Sequence, residues 1–109
     1  MDMVIRRAEV WMVSLDPAVG REIKKMRPCM IISPDEANKY LDTVIIAPLT
    51  STIRHYPSRV NCTFKNKKGQ IVIDQIRAVD KSRFVKKLGI IDEKKALEVF
   101  NLLQAYFDY

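Results

Sequence analysis

The stretch Arg59-Val60-Asn61-Cys62-Thr63-Phe64-Lys65-Asn66-Lys67-Lys68-Gly69 decides the architecture. Val60, Cys62 and Phe64 alternate with Arg59, Asn61 and Thr63, the period of a strand with one buried and one wet face. Lys65 to Gly69 supplies a hairpin turn, and Ile71-Val72-Ile73 returns as strand material. Toward the N-terminus, Thr43-Val44-Ile45-Ile46-Ala47 reads as a strand closed by Pro48. Cys29-Met30-Ile31-Ile32 reads as another, opened by Pro28, where a missing amide donor is tolerated. The nearly continuous apolar run Val10-Trp11-Met12-Val13-Ser14-Leu15 predicts a strand covered on both faces and ended by Asp16-Pro17. Between the second and third strands, Ser33 is placed as a helix cap, with Pro34 at the first helical position and a short helix reaching about Tyr40.

Toward the C-terminus, Ile76-Arg77-Ala78-Val79 either continues the fifth strand past a bend at Asp74-Gln75 or forms a separate short piece. Asp80-Lys81-Ser82-Arg83 is a turn or a single helical turn, and Phe84-Val85-Lys86-Lys87-Leu88 is a last strand before Gly89. Asp92 caps a closing helix whose Ala96, Val99, Phe100, Leu103 and Phe107 make one apolar stripe. The expected fold is therefore a single domain, residues 1–109, mainly β with α: a small, strongly bent sheet or barrel.

Charge narrows the function. Residues 21–87 hold fifteen bases and six acids, a net of +9, within a chain whose total is +6. Such a surplus favours a polyanion, because neutralised phosphates release condensed counterions. The N-terminus lacks the apolar stretch of about 7 to 15 residues of a signal peptide, and no run approaches the roughly 18 of a membrane span. A cytoplasmic location with no membrane partner is expected. Cys29 and Cys62 sit inside apolar runs and are expected as free buried thiols. With His55 the only histidine and no Cys/His pair at ligand spacing, neither a metal nor another cofactor is expected.

Two polar loops concentrate the chemistry. Residues 20–28 carry Gly20, Arg21, Glu22, Lys24, Lys25 and Arg27; residues 48–52 carry Thr50, Ser51 and Thr52, and the polar stretch continuing to Pro57 adds Arg54 and His55. If the second and third strands are neighbours, Arg27 and Thr50 fall on one rim.

The chain resembles the MazF/PemK (Kid) family of toxins from bacterial toxin–antitoxin pairs. The likeness rests on Glu9-Val10-Trp11, Leu15-Asp16-Pro17, Gly20-x-Glu22, Arg27-Pro28 leading to Ile31-Ile32-Ser33-Pro34, Asn38, Ala47-Pro48-Leu49-Thr50-Ser51, Asp74-Gln75-Ile76-Arg77, Val79-Asp80, Arg83 and Leu88-Gly89. The resemblance implies an SH3-like barrel with a short helix after strand two and a C-terminal helix, a homodimer, and sequence-specific cleavage of single-stranded RNA. The products would be a 2′,3′-cyclic phosphate and a 5′-hydroxyl. It carries the catalytic pair onto Arg27 and Thr50, with Glu22 a weaker candidate for acid/base work or substrate contact. A cognate acidic antitoxin is the implied protein partner, and inhibition of translation the implied outcome.

The residue chemistry supports the same reading separately. A ribose 2′-hydroxyl can attack its own phosphate, so neither a protein nucleophile nor a metal is required. What is required is stabilisation of the extra charge on the phosphorane, which a planar, permanently charged Arg27 and the Thr50 hydroxyl can supply. Glu22 is the acid nearest in sequence that could take the attacking proton. Ser51, Thr52, Arg54, His55, Gly20, Arg21, Lys24, Lys25 and Arg83 are candidate RNA contacts. Asp74 and Gln75 are either RNA contacts or groups satisfying a bent backbone. Trp11 is assigned to the core, and Lys65, Lys67 and Lys68 to a solvated turn.

Some positions depart from the family pattern. Ala8 stands where glycine is usual, Ile23 replaces a common glutamine, and Lys24 and Lys25 replace glycines. Val72 and Ile73 occupy the place of an arginine that some relatives use, which shifts weight onto Arg27. The competing readings are a non-catalytic toxin on the same barrel, of the CcdB type that poisons DNA gyrase, and an RNA-binding module that does not cut.

Overall fold

The computed structural model describes residues 3–17, 19–23 and 25–109. Seven strands form one curled antiparallel half-barrel: β1 (Glu9–Ser14), β2 (Met26–Ile31), β3 (Thr43–Thr50), β4 (Arg59–Phe64), β5 (Lys67–Val72), β6 (Arg77–Asp80) and β7 (Phe84–Ile90). The helices are α1 (Asp35–Tyr40) and α2 (Glu93–Tyr106). The pairing order is β4-β5-β3-β2-β1-β7, with β6 also on β3. No helix among the described residues is long and apolar enough to cross a membrane.

Apolar side chains of both parities explain why the central strands read as continuous apolar runs. Val10, Met30, Ala47 and Leu49 pack on one face beneath Val99 and Leu103 of α2, while Trp11, Val13, Cys29, Ile31 and Ile46 pack on the other with Phe84. Both cysteines are free and buried, and burial pushes the Cys29 thiol up to about 12, which leaves it protonated and unreactive.

β3 organises the molecule. Its first half pairs with β6 from Thr43↔Asp80 to Ile46↔Arg77, and its end pairs with β5 at Leu49↔Ile71 and Thr50↔Gln70. β5 and β6 therefore share one edge of β3, joined by the 3-10 turn Ile73–Gln75, which settles the bend at Asp74-Gln75 as two separate strands. Pro48 does not close β3. It falls in the gap between the β6 and β5 rungs, where an absent N–H costs no ladder bond on that edge.

Four further expectations change. β2 begins at Met26, so Met26 and Arg27 belong to a strand and not to the preceding loop. The hairpin turn is only Lys65 and Asn66, with φ of 49° and 66°, and Lys67, Lys68 and Gly69 already lie in β5. Ser33 does not cap α1: Pro34 holds that position, and the buried Ser33 hydroxyl donates to Asn38 Oδ1 and accepts the Ile45 amide at 3.0 Å. The α2 stripe holds through Leu103, but Phe107 follows the last helical turn and is exposed. Asp92 does cap α2, accepting the Lys95 amide at 2.9 Å.

Ala8 has φ of 72°, the left-handed region that explains why glycine is usual there; alanine holds it at a cost of about 1 kcal/mol. Beside it, Glu9 is only 3% exposed and is nonetheless an anion. Burial pushes its carboxyl up, but Lys87 Nζ at 2.7 Å, the Trp11 indole N–H at 3.0 Å and the Arg6 amide at 2.9 Å together hold it below the usual range. A depressed folded-state value stabilises the fold above the unfolded value of about 4.3 and loses that contribution as pH falls through the folded one. Stability should therefore drop on acidification below about pH 4.3, and Glu9→Gln should flatten that acid limb in pH-dependent urea unfolding. An unchanged acid limb in the variant would remove Glu9 from the linkage.

Candidate active site

The β2–β3 pairing stops at Cys29↔Pro48, while its register, carried two residues further, sets Arg27 across from Thr50. The strands open there because β3 turns to its other partner, pairing Thr50 with Gln70 on β5. β2 in turn stays with β1 through Val13↔Arg27 and Ser14↔Met26. The fork leaves a cleft of about 330 Å³ lined by Arg27, Thr50 and Ser51. Met12, Leu49, Phe64 and Leu88 give it an apolar lining, and Lys65, Lys67 and Lys68 of the β4–β5 hairpin line it as well.

Thr50 is oriented by its own chain. Its Oγ1 accepts the Thr52 amide at 3.1 Å, and a hydroxyl that accepts in this way keeps its hydrogen for donation elsewhere. Gln70, 3% exposed and cross-strand from Thr50, clamps the following loop from both sides of one residue. Its Oε1 accepts the Arg54 amide at 3.0 Å, and its Nε2 donates to the Arg54 carbonyl at 2.8 Å and to Asn61 Oδ1 at 2.9 Å.

A second, smaller chamber of about 200 Å³ is lined by Leu15, Glu22, Ile23, Pro48 and the residues 74–77. Glu22 thus lines this second chamber and not the Arg27 cleft, and its Oε1 accepts the Val19 amide at 2.6 Å. The loop is stitched to the sheet by the Ile23 amide donating to Gln75 Oε1 at 2.8 Å.

The other residues singled out from sequence divide by what they touch. Asp74 is engaged structurally: Arg59 Nε and Nη2 lie 3.0 and 3.3 Å from its two carboxylate oxygens, and the Ser58 hydroxyl donates at 2.9 Å. Burial pushes the Asp74 carboxyl up, but hydrogen bonds from Arg59 and Ser58 and the Arg59 charge together hold the group below the usual range. Arg83 donates to the carbonyls of Ser14 and Asp16, pinning the exit of β1. Gly20, with φ of 63°, Arg21 and Lys25 are exposed on the loop after β1 and line neither chamber. Thr52, Arg54 and His55 are exposed on the loop after β3, whereas Ser51 lines the cleft itself. Lys24 lies outside the described residues. Lys67, Lys68, Gly69 and Gln70 escape the sequence reading as site residues, because only the β3–β5 pairing carries them to Thr50.

A family model of PemK-like, MazF-like toxins of type II toxin–antitoxin systems matches residues 6–107. A protein of Staphylococcus epidermidis named endoribonuclease MazF is 39% identical over 106 residues, covering 92% of this chain and 88% of that protein. Among solved structures, MazF from Deinococcus radiodurans superposes with a TM-score of 0.87 at 24% identity, over 99% of this chain and 100% of that one. An endoribonuclease from a mycobacterial species, solved in complex with its cognate antitoxin, gives a TM-score of 0.78 at 20% identity, over 93% and 92%. At these identities the structural matches speak to the fold.

Proposed function

The chain belongs to the PemK-like, MazF-like toxin family of type II toxin–antitoxin systems, and from that premise we propose that it is a metal-independent endoribonuclease acting on single-stranded RNA. The observation that carries the reading is Arg27 and Thr50 lining one cationic cleft at the β2–β3 fork. Both reach this cleft from strand ends on a rigid sheet, which favours preorganisation over adjustment at the moment of reaction.

In the proposed reaction the ribose 2′-oxygen forms a bond to phosphorus while the bond from phosphorus to the 5′-oxygen breaks. The Arg27 guanidinium and the Thr50 hydroxyl donate to the non-bridging oxygens, where charge accumulates. Glu22, on the loop that leads into β2, takes the 2′-hydroxyl proton, and the leaving 5′-oxygen is protonated from Glu22 or water. The ends are a 2′,3′-cyclic phosphate and a 5′-hydroxyl. Cutting at preferred sequences in mRNA would inhibit translation. A homodimer and neutralisation by an acidic antitoxin segment that folds on binding complete the reading. The test is incubation with a long single-stranded RNA in chelator, followed by chemical identification of the new ends. Discrete cuts bearing cyclic phosphates are expected; intact RNA would leave a toxin or binding module without nuclease activity.

Glu22 has its own test. Glu22→Gln keeps an oxygen for the Val19 amide but cannot accept a proton, so the loop should stay in place while the chemistry slows. General-base removal ordinarily costs about 10²–10⁴-fold, but an exposed carboxylate shares its task with water, so about a tenfold loss in single-turnover rate is expected. A rate within twofold of the parent would reassign Glu22 to holding the loop alone.

A further inference from the structure

The cleft holds more charge than the chemistry uses. Four cations, Arg27, Lys65, Lys67 and Lys68, line it, and no carboxylate is among the described residues that do so. Three of these cations come from the β4–β5 hairpin, and the hairpin is held stiffly. The left-handed pair Lys65 and Asn66 makes a tight two-residue turn, and β4 pairs with β5 along its whole length, from Arg59↔Val72 to Phe64↔Lys67. At its inner end Gly69 approaches Thr50 so closely that a Cβ would lie 2.4 Å from the Thr50 carbonyl oxygen. The backbone that carries the lysines is therefore held close to that of Thr50.

We propose that the β4–β5 hairpin is the second jaw of the RNA site, with Lys67 and Lys68 gripping backbone phosphates adjacent to the one held by Arg27 and Thr50. The proposal rests on the ribonuclease reading and extends it from the reacting phosphate to the strand around it. In the same cleft, the apolar lining of Met12, Leu49, Phe64 and Leu88 offers contact to the face of a base. Lysine suits such a grip: a compact charge on a flexible stem follows a phosphate without demanding one sugar conformation. An acidic protein segment would meet the same charges, but the sharing of this cleft with Arg27 and Thr50 favours RNA.

The test is binding of a single-stranded RNA oligomer carrying 2′-O-methyl groups, which cannot attack the phosphate, by Lys67→Gln/Lys68→Gln in full-length protein. About a tenfold rise in Kd is expected, with a slope of log affinity against log salt shallower by about 1.4, or roughly 0.7 for each phosphate contact on a single strand. The rate constant at saturating cleavable RNA should stay within twofold, and Lys94→Gln on the exposed side of α2 should bind as the parent does. A double variant with the parent Kd and salt slope would overturn the proposal, as would an effect confined to an acidic antitoxin peptide. A parent protein that binds the methylated oligomer yet leaves ordinary RNA uncut would sink the nuclease reading and leave the jaw standing. A parent that does neither would sink both.

Discussion

Arg27→Ala should lower the single-turnover cleavage of a single-stranded RNA oligomer by about 10³-fold, the loss typical of deleting one well-placed donor to a developing oxyanion, or about 4 kcal/mol. The size follows from where the charge appears. On the way to a five-coordinate phosphorus the non-bridging oxygens gain negative charge that they lack in the ground state, so a guanidinium aimed at them acts on kcat more than on KM. Arg27 is exposed at the end of β2, so truncation at its side chain should leave the fold intact, with a thermal midpoint close to that of the parent. Arg27→Lys separates charge from geometry: a point charge replaces a two-pronged donor, and recovery of only about tenfold over alanine is expected. Cleavage by Arg27→Ala within tenfold of the parent would remove the guanidinium from the chemistry.

The sequence exposes Arg27 and Thr50 through short motifs, but not the reason they meet. Local periodicity reads Pro48 as the end of a strand, since proline usually interrupts a ladder. In the fold, β3 runs through it because two different partners share that edge and leave a gap at this residue. The same long-range pairing hides the hairpin lysines. Lys-Asn-Lys-Lys-Gly looks like a solvated turn by composition, and half of that reading holds, since Lys65 and Asn66 do turn the chain. Lys67 and Lys68 take on a different meaning only once β5 is laid against the end of β3, a pairing between residues 20 apart that no window of alternation reports. The buried strands and the capped α2 were legible because each depends on neighbours within a few residues. Ser33 misleads for the converse reason: a serine before Pro-Asp-Glu has the local form of a cap, and its buried partners Asn38 and Ile45 lie further along the chain.

Gly69→Ala should cost both stability and chemistry, and the two losses have one cause. The added Cβ would stand 2.4 Å from the Thr50 carbonyl oxygen and 3.3 Å from its carbon, and both are backbone atoms that no rotamer change can move. Either β5 withdraws from the Leu49↔Ile71 and Thr50↔Gln70 rungs or the end of β3 is pushed toward the cleft. Overpacking of this kind costs about 1–3 kcal/mol, each worth roughly 4–8 °C in the thermal midpoint of a domain this size. A displacement of about 1 Å at a reacting group can cost 10²-fold in rate, so cleavage at a temperature well below the new midpoint should fall by about that factor. The methylated RNA oligomer should still bind within a fewfold of the parent, which separates misplacement of Thr50 from loss of the site. Gly20→Ala is the instructive contrast: nothing lies within 4 Å of its Cβ, and its φ of +63° makes the penalty one of local backbone strain, about 1 kcal/mol. Its rate of cutting should stay far closer to the parent's. Equal rate losses at the two glycines would mean that the close approach of β5 to Thr50 has no part in holding the hydroxyl.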